Sequence, residues 1–213
     1  MRLVILGGSG SGKSTQAQRL CTYFDIPLIS TGEILRSAIS GNQPLPEFRC
    51  LEADPRTSLS VYASLSELGY HARPYMQKGE LVPDEMIIEL IRIRLRQPDI
   101  NCDWVLEGYP RTAFQAEELD FLLDDLGQKL DWAIYLQVPE AVMVSRSLGR
   151  SLPDDQPEIV QRRVELFYDR TIPILEYYDR RRCLLTINGD QSPEMVQQIY
   201  FDSAFSSLKS AEC

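Results

Sequence analysis

The chain alternates between short apolar runs and longer segments in which apolar residues recur every three or four positions. The short runs are rich in residues that favour strands. They predict five β-strands, at Arg2–Leu6, Pro27–Ile29, Trp104–Leu106, Trp132–Val138 and Leu184–Ile187.

Helices are predicted between these strands. After residue 13 the apolar residues Ala17, Leu20, Cys21 and Phe24 fall on one helical face. Further helices are predicted at Thr31–Ile39, Asp84–Arg96, Glu140–Leu148 and Gln156–Arg181, the last broken at Pro173. A final helix opens with Ser192 as N-cap and Pro193, and places Met195, Ile199 and Leu208 on its apolar side.

This order of elements indicates an α/β domain. Strands that alternate with helices form βαβ units, and hence a parallel sheet covered by helices on both faces. Residues 41–65 interrupt the pattern with Gly41, Pro44, Pro46 and Pro55. They predict a loop-rich insertion with a short helix near Ser58–Leu68.

Net charge, the length of the apolar runs and the cysteine spacing argue against several kinds of binding partner and site. The formal net charge is −9, which disfavours non-specific binding to nucleic acid or to an anionic membrane surface. No apolar run approaches the roughly 20 residues of a membrane span. The five cysteines are scattered without a C-x-x-C pair, so we expect reduced thiols, no zinc site and a cytoplasmic protein.

One motif carries specific chemistry. Gly7-x-x-x-x-Gly12-Lys13-Ser14 matches the phosphate-binding P-loop, and it lies between a predicted strand and a predicted helix. Its backbone N–H groups and the helix N-terminus cradle phosphate, while the lysine supplies a full charge and the serine hydroxyl binds Mg²⁺. The predicted ATP-binding residues are Gly10, Ser11, Gly12, Lys13, Ser14 and Thr15.

Other segments resemble the adenylate kinases, a family of nucleoside monophosphate kinases, in the order in which that family carries them. They are Ser30–Arg36, Lys78–Glu85, Leu106–Thr112 with Gln115, Arg146–Arg150, and Asp154-Asp155 followed by Arg163. The resemblance implies a P-loop NTPase fold with a five-stranded parallel sheet, an acceptor-binding insert at 30–83 and a short lid at 150–156. It further implies a monomer that catalyses ATP + AMP ⇌ 2 ADP with Mg²⁺.

The resemblance also implies roles for individual residues. Arg36 and Arg111 would hold the acceptor phosphate, Arg146 and Arg150 would contact ATP, and Arg163 would clamp the transferring group. Glu107 would hold Mg²⁺ through water. The acceptor site would be formed by Thr31, Arg36, Glu80, Leu81, Val82, Gly108, Tyr109, Pro110, Arg111, Gln115 and Arg163.

Two of these positions bear on the choice of base. In adenylate kinases, residues that match Thr31 and Gln115 contact adenine, whereas relatives acting on UMP or CMP usually carry alanine and asparagine there. A side-chain amide offers both donors and an acceptor to a base edge. The sequence therefore favours AMP as the acceptor.

The chain departs from the family pattern in four places. Glu107 replaces the usual aspartate, Leu152 stands where longer lids carry an arginine, the insert is about twenty residues longer, and Ser14 replaces a common glycine. Two alternatives therefore stay open. One is a UMP/CMP, sugar-acid or other small-molecule kinase of the same fold, and the other is a nucleotide-binding module with weak catalysis.

Overall fold

A computed structural model describes residues 1–40, 55–100, 102–150 and 155–210. Its five strands form one sheet in the order β2-β3-β1-β4-β5, and every neighbouring pair is parallel. This confirms the predicted α/β fold, with strand boundaries shifted by at most one residue. The strands are β1 Arg2–Leu6, β2 Leu28–Ser30, β3 Trp104–Glu107, β4 Trp132–Gln137 and β5 Leu184–Asn188.

Both faces of the sheet are buried, because successive side chains of a strand point to opposite sides. On β1, Val4 and Leu6 join one apolar cluster, whereas Leu3 and Ile5 join the other. Each cluster is completed by helices that pack on that face. A strand that is apolar at consecutive positions therefore belongs inside the molecule.

Helices connect the strands and cover the sheet. Among the described residues they are α1 Lys13–Phe24, α2 Thr31–Ser40, α3 Pro55–Lys78, α4 Asp84–Leu95, α5 Ala113–Asp125, α6 Glu140–Leu148, α7 Pro157–Leu166, α8 Pro173–Arg180 and α9 Pro193–Ser210. The predicted buried positions of α4, Ile87, Leu90, Ile91 and Leu95, are all buried.

One helix was absent from the sequence prediction. Helix α5 buries Ala116, Leu119, Leu122 and Leu123, whose spacing carries the helical signal. Thr112 caps it, since its side chain accepts a hydrogen bond from the Gln115 backbone N–H.

The predicted short helix near Ser58–Leu68 is wrong in extent. Helix α3 has 24 residues and continues through Pro74 to Lys78. It packs closely on α2, where a Cβ added to Gly69 would lie 2.7 Å from the backbone of Ala38. This support from a neighbouring helix explains why propensity alone understated its length. Residues 41–54 lie outside the described part of the chain.

The segment after the predicted lid is divided as Pro173 suggested. Helix α7 is followed by a π-helical turn, Phe167–Thr171, and α8 then begins at Pro173. A proline is tolerated at the first helical position because its missing N–H would have no partner there. Residues 151–154 of the predicted lid lie outside the described ranges.

The final helix starts as predicted but faces differently. The Ser192 hydroxyl accepts a hydrogen bond from the Met195 N–H at 3.3 Å. Val196 and Tyr200 are buried and Ile199 is partly buried, whereas Met195 is 50% exposed, contrary to the prediction. The side chain of Leu208 lies outside the described residues. No helix in the described ranges has the length and apolar character needed to cross a membrane.

Candidate active site

A cleft of about 610 Å³ opens at the carboxyl ends of the strands. Its floor includes the last residues of β1 and β3, and its walls come from α2, the end of α3 and the segment around α6 and α7. In the sheet, β2 and β3 lie on one side of β1, and β4 and β5 lie on the other. The order in which strands are added therefore reverses beside β1. Such a switch point is the usual ligand site of open α/β sheets.

The phosphate loop runs from β1 into α1 along this cleft. Gly12, the N-cap of α1, has a left-handed backbone with φ 95°. At Gly10 (φ +80°), an added Cβ would lie 2.2 Å from the carbonyl oxygen of Met143, so only glycine allows the loop to pack on α6. The helix N-terminus and the loop amides thus face the cleft, where they favour an anion.

Lys13 provides the full positive charge of this loop. Its Nζ donates to the backbone oxygen of Gly8 at 2.7 Å. Burial lowers the pKa of Lys13 to about 8, because desolvation penalises the charged form; Glu107 opposes that shift, while Arg111 and other arginines add to it. A bound polyphosphate would restore the proton, since it supplies the missing negative charge.

Glu107 lies at the end of β3 with only 6% of its surface exposed. The Ser14 hydroxyl lies 3.2 Å from each of its carboxylate oxygens, and the Ser30 hydroxyl donates to Oε1 at 2.9 Å. The second contact follows from strand register, because Ser30 and Glu107 are paired neighbours on β2 and β3. Register thus holds an acidic group beside the phosphate loop.

This oxygen-rich pair fits Mg²⁺, which binds few protein ligands and keeps several waters. Ser14 offers a hydroxyl and Glu107 a carboxylate, and both line the cleft. Within the described ranges, no group of three or more His, Cys, Asp or Glu residues forms a self-sufficient metal cage. A hydroxyl and a carboxylate are donors that could hold Mg²⁺ together with nucleotide phosphates.

A buried carboxylate organises two of the arginines. The side chain of Asp155 is 1% exposed, and it accepts hydrogen bonds from Arg150 at 2.9 and 3.2 Å and from Arg163 at 3.3 Å. Arg150 also donates to the Ser9 hydroxyl in the phosphate loop at 2.9 Å. Asp155 thus orients both guanidinium groups at the cleft, next to the phosphate loop.

The other arginines approach from different elements. Arg146 donates to the Gly189 oxygen at 3.1 Å and to Asp190 at 3.0 Å. Burial and the nearby Arg163 lower the pKa of Arg111 to about 10, against the attraction of Glu107. Arg36 reaches the cleft from α2, over Gly32. The guanidinium groups surround a space in which phosphate would relieve their mutual repulsion.

Thr31 and Gln115 form another part of the cleft wall. The Thr31 hydroxyl donates to the Glu107 backbone oxygen at 3.2 Å. A Cβ added to Gly108 (φ +86°) would lie 2.3 Å from this hydroxyl oxygen. Gln115 is 2% exposed and lines the cleft.

Most of the predicted site residues come together in this one cleft. Lining it are Gly10, Gly12, Lys13, Ser14, Thr15, Thr31, Arg36, Glu80, Leu81, Val82, Glu107, Gly108, Pro110, Arg111, Gln115, Arg146, Arg150 and Arg163. Ser11 and Tyr109 are not among the lining residues. Both are about 1% exposed, and the Tyr109 hydroxyl donates to the Gln115 backbone oxygen at 2.9 Å. Tyr109 therefore supports the wall from behind.

Sequence reasoning assigned no role to several residues that shape the cleft. Ser9, Ser30, Asp84 and Asp155 act through other side chains, and Phe167 lines the cleft directly. Ser30, Asp84 and Asp155 stand inside the motifs that resemble the family, so their position was a usable signal. The contact of Ser30 with Glu107, however, depends on the pairing of β2 with β3.

Comparison with known proteins decides the family. The sequence model described as "Adenylate kinase" matches residues 60–183, and one described as "AAA domain" matches residues 6–64. The chain is 76% identical over 198 residues to a protein named "Adenylate kinase 2" from Nostoc sp., covering 93% of this chain and 95% of that one. The chain belongs to the adenylate kinase family.

More distant relatives agree. A protein named "Adenylate kinase 2" from Synechocystis sp. is 49% identical, covering 93% of this chain and 97% of its own length. An "Adenylate kinase" from Trichodesmium erythraeum is 36% identical, covering 92% and 93%. The predicted family, its P-loop kinase fold and its phosphotransferase class are thereby confirmed. This adenylate kinase transfers a phosphoryl group between adenine nucleotides.

Proposed function

We propose that this adenylate kinase catalyses ATP + AMP ⇌ 2 ADP, with Mg²⁺, at the cleft described above. The convergence of six cationic side chains on one cleft carries the proposal; they are Lys13, Arg36, Arg111, Arg146, Arg150 and Arg163. Two nucleotides bring several negative charges together, and their repulsion must be neutralised before the phosphoryl group can move. Although the protein has a net charge of −9, these positively charged side chains lie together in the cleft, where they can neutralise phosphate charge.

ATP would bind along the phosphate loop. The amides of Gly10 to Thr15 and the N-terminus of α1 would receive its phosphates, with Lys13 between them and Arg146 and Arg150 alongside. AMP would bind against Arg36, Arg111 and the wall formed by Thr31, Gly108 and Gln115. Glu80, Leu81 and Val82 follow α3 and would close over it.

Charge and position would provide the catalysis. The attacking group is a phosphate oxygen that is already ionised, so no general base is required. The one histidine, His71, is exposed on α3 and does not line the cleft. Arginines held by fixed carboxylates need little reorganisation as charge develops on the transferring group. Asp155 supplies this preorganisation for Arg150 and Arg163.

Ser14 and Glu107 are the residues that would hold Mg²⁺, with Glu107 acting through water. Mg²⁺ held there would neutralise part of the phosphate charge. The Ser30 hydroxyl fixes one carboxylate oxygen of Glu107. This contact would compensate for the extra methylene that Glu107 has compared with aspartate, by holding the longer side chain in one orientation.

The acceptor-binding insert 30–83 and the lid 150–156 would move as units in a monomer. The residue that follows α3, Gly79, already lies close to α7, since an added Cβ at Gly79 would be 2.9 Å from the carbonyl oxygen of Ile159. Closure of the two segments would exclude water and so limit hydrolysis of ATP.

A panel of acceptors tests the proposal. With ATP and Mg²⁺, product formation is measured for AMP, UMP, CMP and dTMP, each with and without a chelator. AMP should give the highest kcat/KM, and the chelator should abolish turnover. A faster rate with UMP would contradict the base assignment, and calorimetric ATP binding without turnover of any acceptor would contradict the proposed catalysis.

A further inference from the structure

We propose that Asp84 is a positioning residue that sets which way the Gln115 amide faces, and thereby makes the acceptor site selective for adenine over a 6-oxopurine. Asp84 is the first residue of α4 and does not line the cleft. Its effect on the base is therefore exerted through Gln115. The inference rests on the proposed contact of Gln115 with the acceptor base.

Two hydrogen bonds hold the Gln115 side chain. Its Nε2 donates to Asp84 Oδ1 at 2.6 Å, and its Oε1 accepts from the Arg111 backbone N–H at 2.7 Å. The Gln115 backbone is held as well, by the Thr112 and Tyr109 hydroxyls. With 2% of its surface exposed, the side chain has almost no room to leave this arrangement.

The chemistry of both partners dictates the amide orientation. A backbone N–H can only donate, and a carboxylate can only accept. Rotating the amide by half a turn would bring its NH₂ group against the Arg111 N–H, and its oxygen against Asp84. Both hydrogen bonds would become repulsive contacts between like groups. The observed orientation is therefore the one that both partners favour.

What remains free on the amide defines what it can recognise. A glutamine amide has two donor hydrogens and two acceptor lone pairs. One of each is engaged by the protein, so one N–H and one lone pair remain in a fixed order. Adenine presents an acceptor at N1 and a donor at N6. Hypoxanthine presents a donor at N1 and an acceptor at O6, which is the reversed order in the same shape.

Of the two partners, only Asp84 can be replaced without changing the backbone. In the flipped orientation the Gln115 oxygen would face the Asp84 carboxylate and be repelled by it. Deleting the carboxylate removes that repulsion. Loss of Asp84 should therefore let the amide turn and accept the reversed pattern more readily. Buried polar groups that must match a substrate's donors and acceptors are an effective source of discrimination.

The experiment compares AMP with IMP, which differ in this polarity, in the full-length protein with ATP and Mg²⁺. Asp84→Ala should lower the ratio of kcat/KM for AMP to that for IMP by about tenfold. The KM for AMP should rise, while kcat with AMP and the KM for ATP should stay within about twofold. Asp84→Asn, whose amide can donate as well as accept, no longer excludes the flipped orientation and should also lower the ratio, by less than Asp84→Ala.

Glu85→Ala is the matched control, because Glu85 is the other first-turn carboxylate of α4 and is exposed. It should leave the AMP/IMP ratio unchanged. In a Gln115→Ala background, Asp84→Ala should have no further effect on that ratio, since the amide through which it acts is missing. A variant with a general structural defect would instead lower activity with both acceptors alike.

The outcomes separate the two levels of inference. If Gln115→Ala lowers the AMP/IMP ratio but Asp84→Ala does not, the positioning role is wrong while the base contact stands. If Gln115→Ala leaves the ratio unchanged, the base contact itself is wrong. The role of Asp84 would also be overturned if Glu85→Ala lowered the AMP/IMP ratio as much as Asp84→Ala does. The same holds if Asp84→Ala still lowered that ratio in the Gln115→Ala background.

Discussion

Replacing Gly108 by alanine tests how the acceptor wall is built. Gly108 follows β3 directly, has φ +86°, and would place a Cβ 2.3 Å from the Thr31 hydroxyl oxygen. Ordinary contacts between carbon and oxygen are about 3.3–3.6 Å or longer. The alanine must therefore push Thr31 away from its hydrogen bond with the Glu107 backbone oxygen.

The expected cost has two parts. Holding a non-glycine residue in the left-handed region costs roughly 1–2 kcal/mol, and losing the Thr31 hydrogen bond adds about 1 kcal/mol. Gly127 provides a control, because its φ of +65° is also positive while an added Cβ meets nothing within 4 Å. Gly108→Ala should thus be less stable than Gly127→Ala by about 1 kcal/mol or more.

Urea unfolding and steady-state kinetics measure the two consequences. The free energy of unfolding should fall for both variants, and further for Gly108→Ala. Because Thr31 lines the cleft at the proposed acceptor wall, Gly108→Ala should also raise the KM for AMP about tenfold, with the KM for ATP nearly unchanged. Equal stability of the two variants together with an unchanged KM for AMP would refute the reasoning.

Three further predictions concern the phosphate side of the cleft. Lys13→Met should lower kcat by at least about a thousandfold with a nearly unchanged Tm, and near-native turnover would contradict the assignment of the phosphate loop. Because burial lowers the pKa of Lys13 to about 8, the free enzyme loses this charge as pH rises through that value. The Kd for ATP measured by calorimetry should therefore increase above pH 8, and a Kd that stays flat to pH 10 would argue against it. Asp155→Asn should lower kcat/KM for ATP by about tenfold or more, because Arg150 and Arg163 lose their shared carboxylate. Asp169→Asn breaks an exposed pair with Arg170 and should have little effect in the same assay, so equal losses would exclude a specific role for Asp155.

The sequence was informative wherever a pattern is local. Strand runs, the helix spacing of α4 and the N-cap at Ser192 were all found from near neighbours in the chain, and the structure confirms them. The phosphate loop was equally clear, because its function requires glycine and lysine at fixed spacing. Six cations were predicted to share one site, and they line one cleft.

Errors arose where distant packing decides the outcome. Helix α3 extends far beyond the predicted Ser58–Leu68 because it packs on α2. Met195 is exposed while Val196 is buried, since the rotation of α9 is set by the sheet against which it packs. A helical pattern indicates which residues share a face, but the neighbouring element decides how that face is turned.

The sequence alone therefore determined the fold class, the phosphate loop and the family, because each depends on residue types at short, fixed spacing. Only the tertiary structure showed how the site is held in place. Ser30 meets Glu107 through strand register, Asp155 joins two arginines, and Asp84 fixes the amide of Gln115. These contacts join residues whose side chains meet in space, and hydrogen bonding depends on the distance and direction that folding creates.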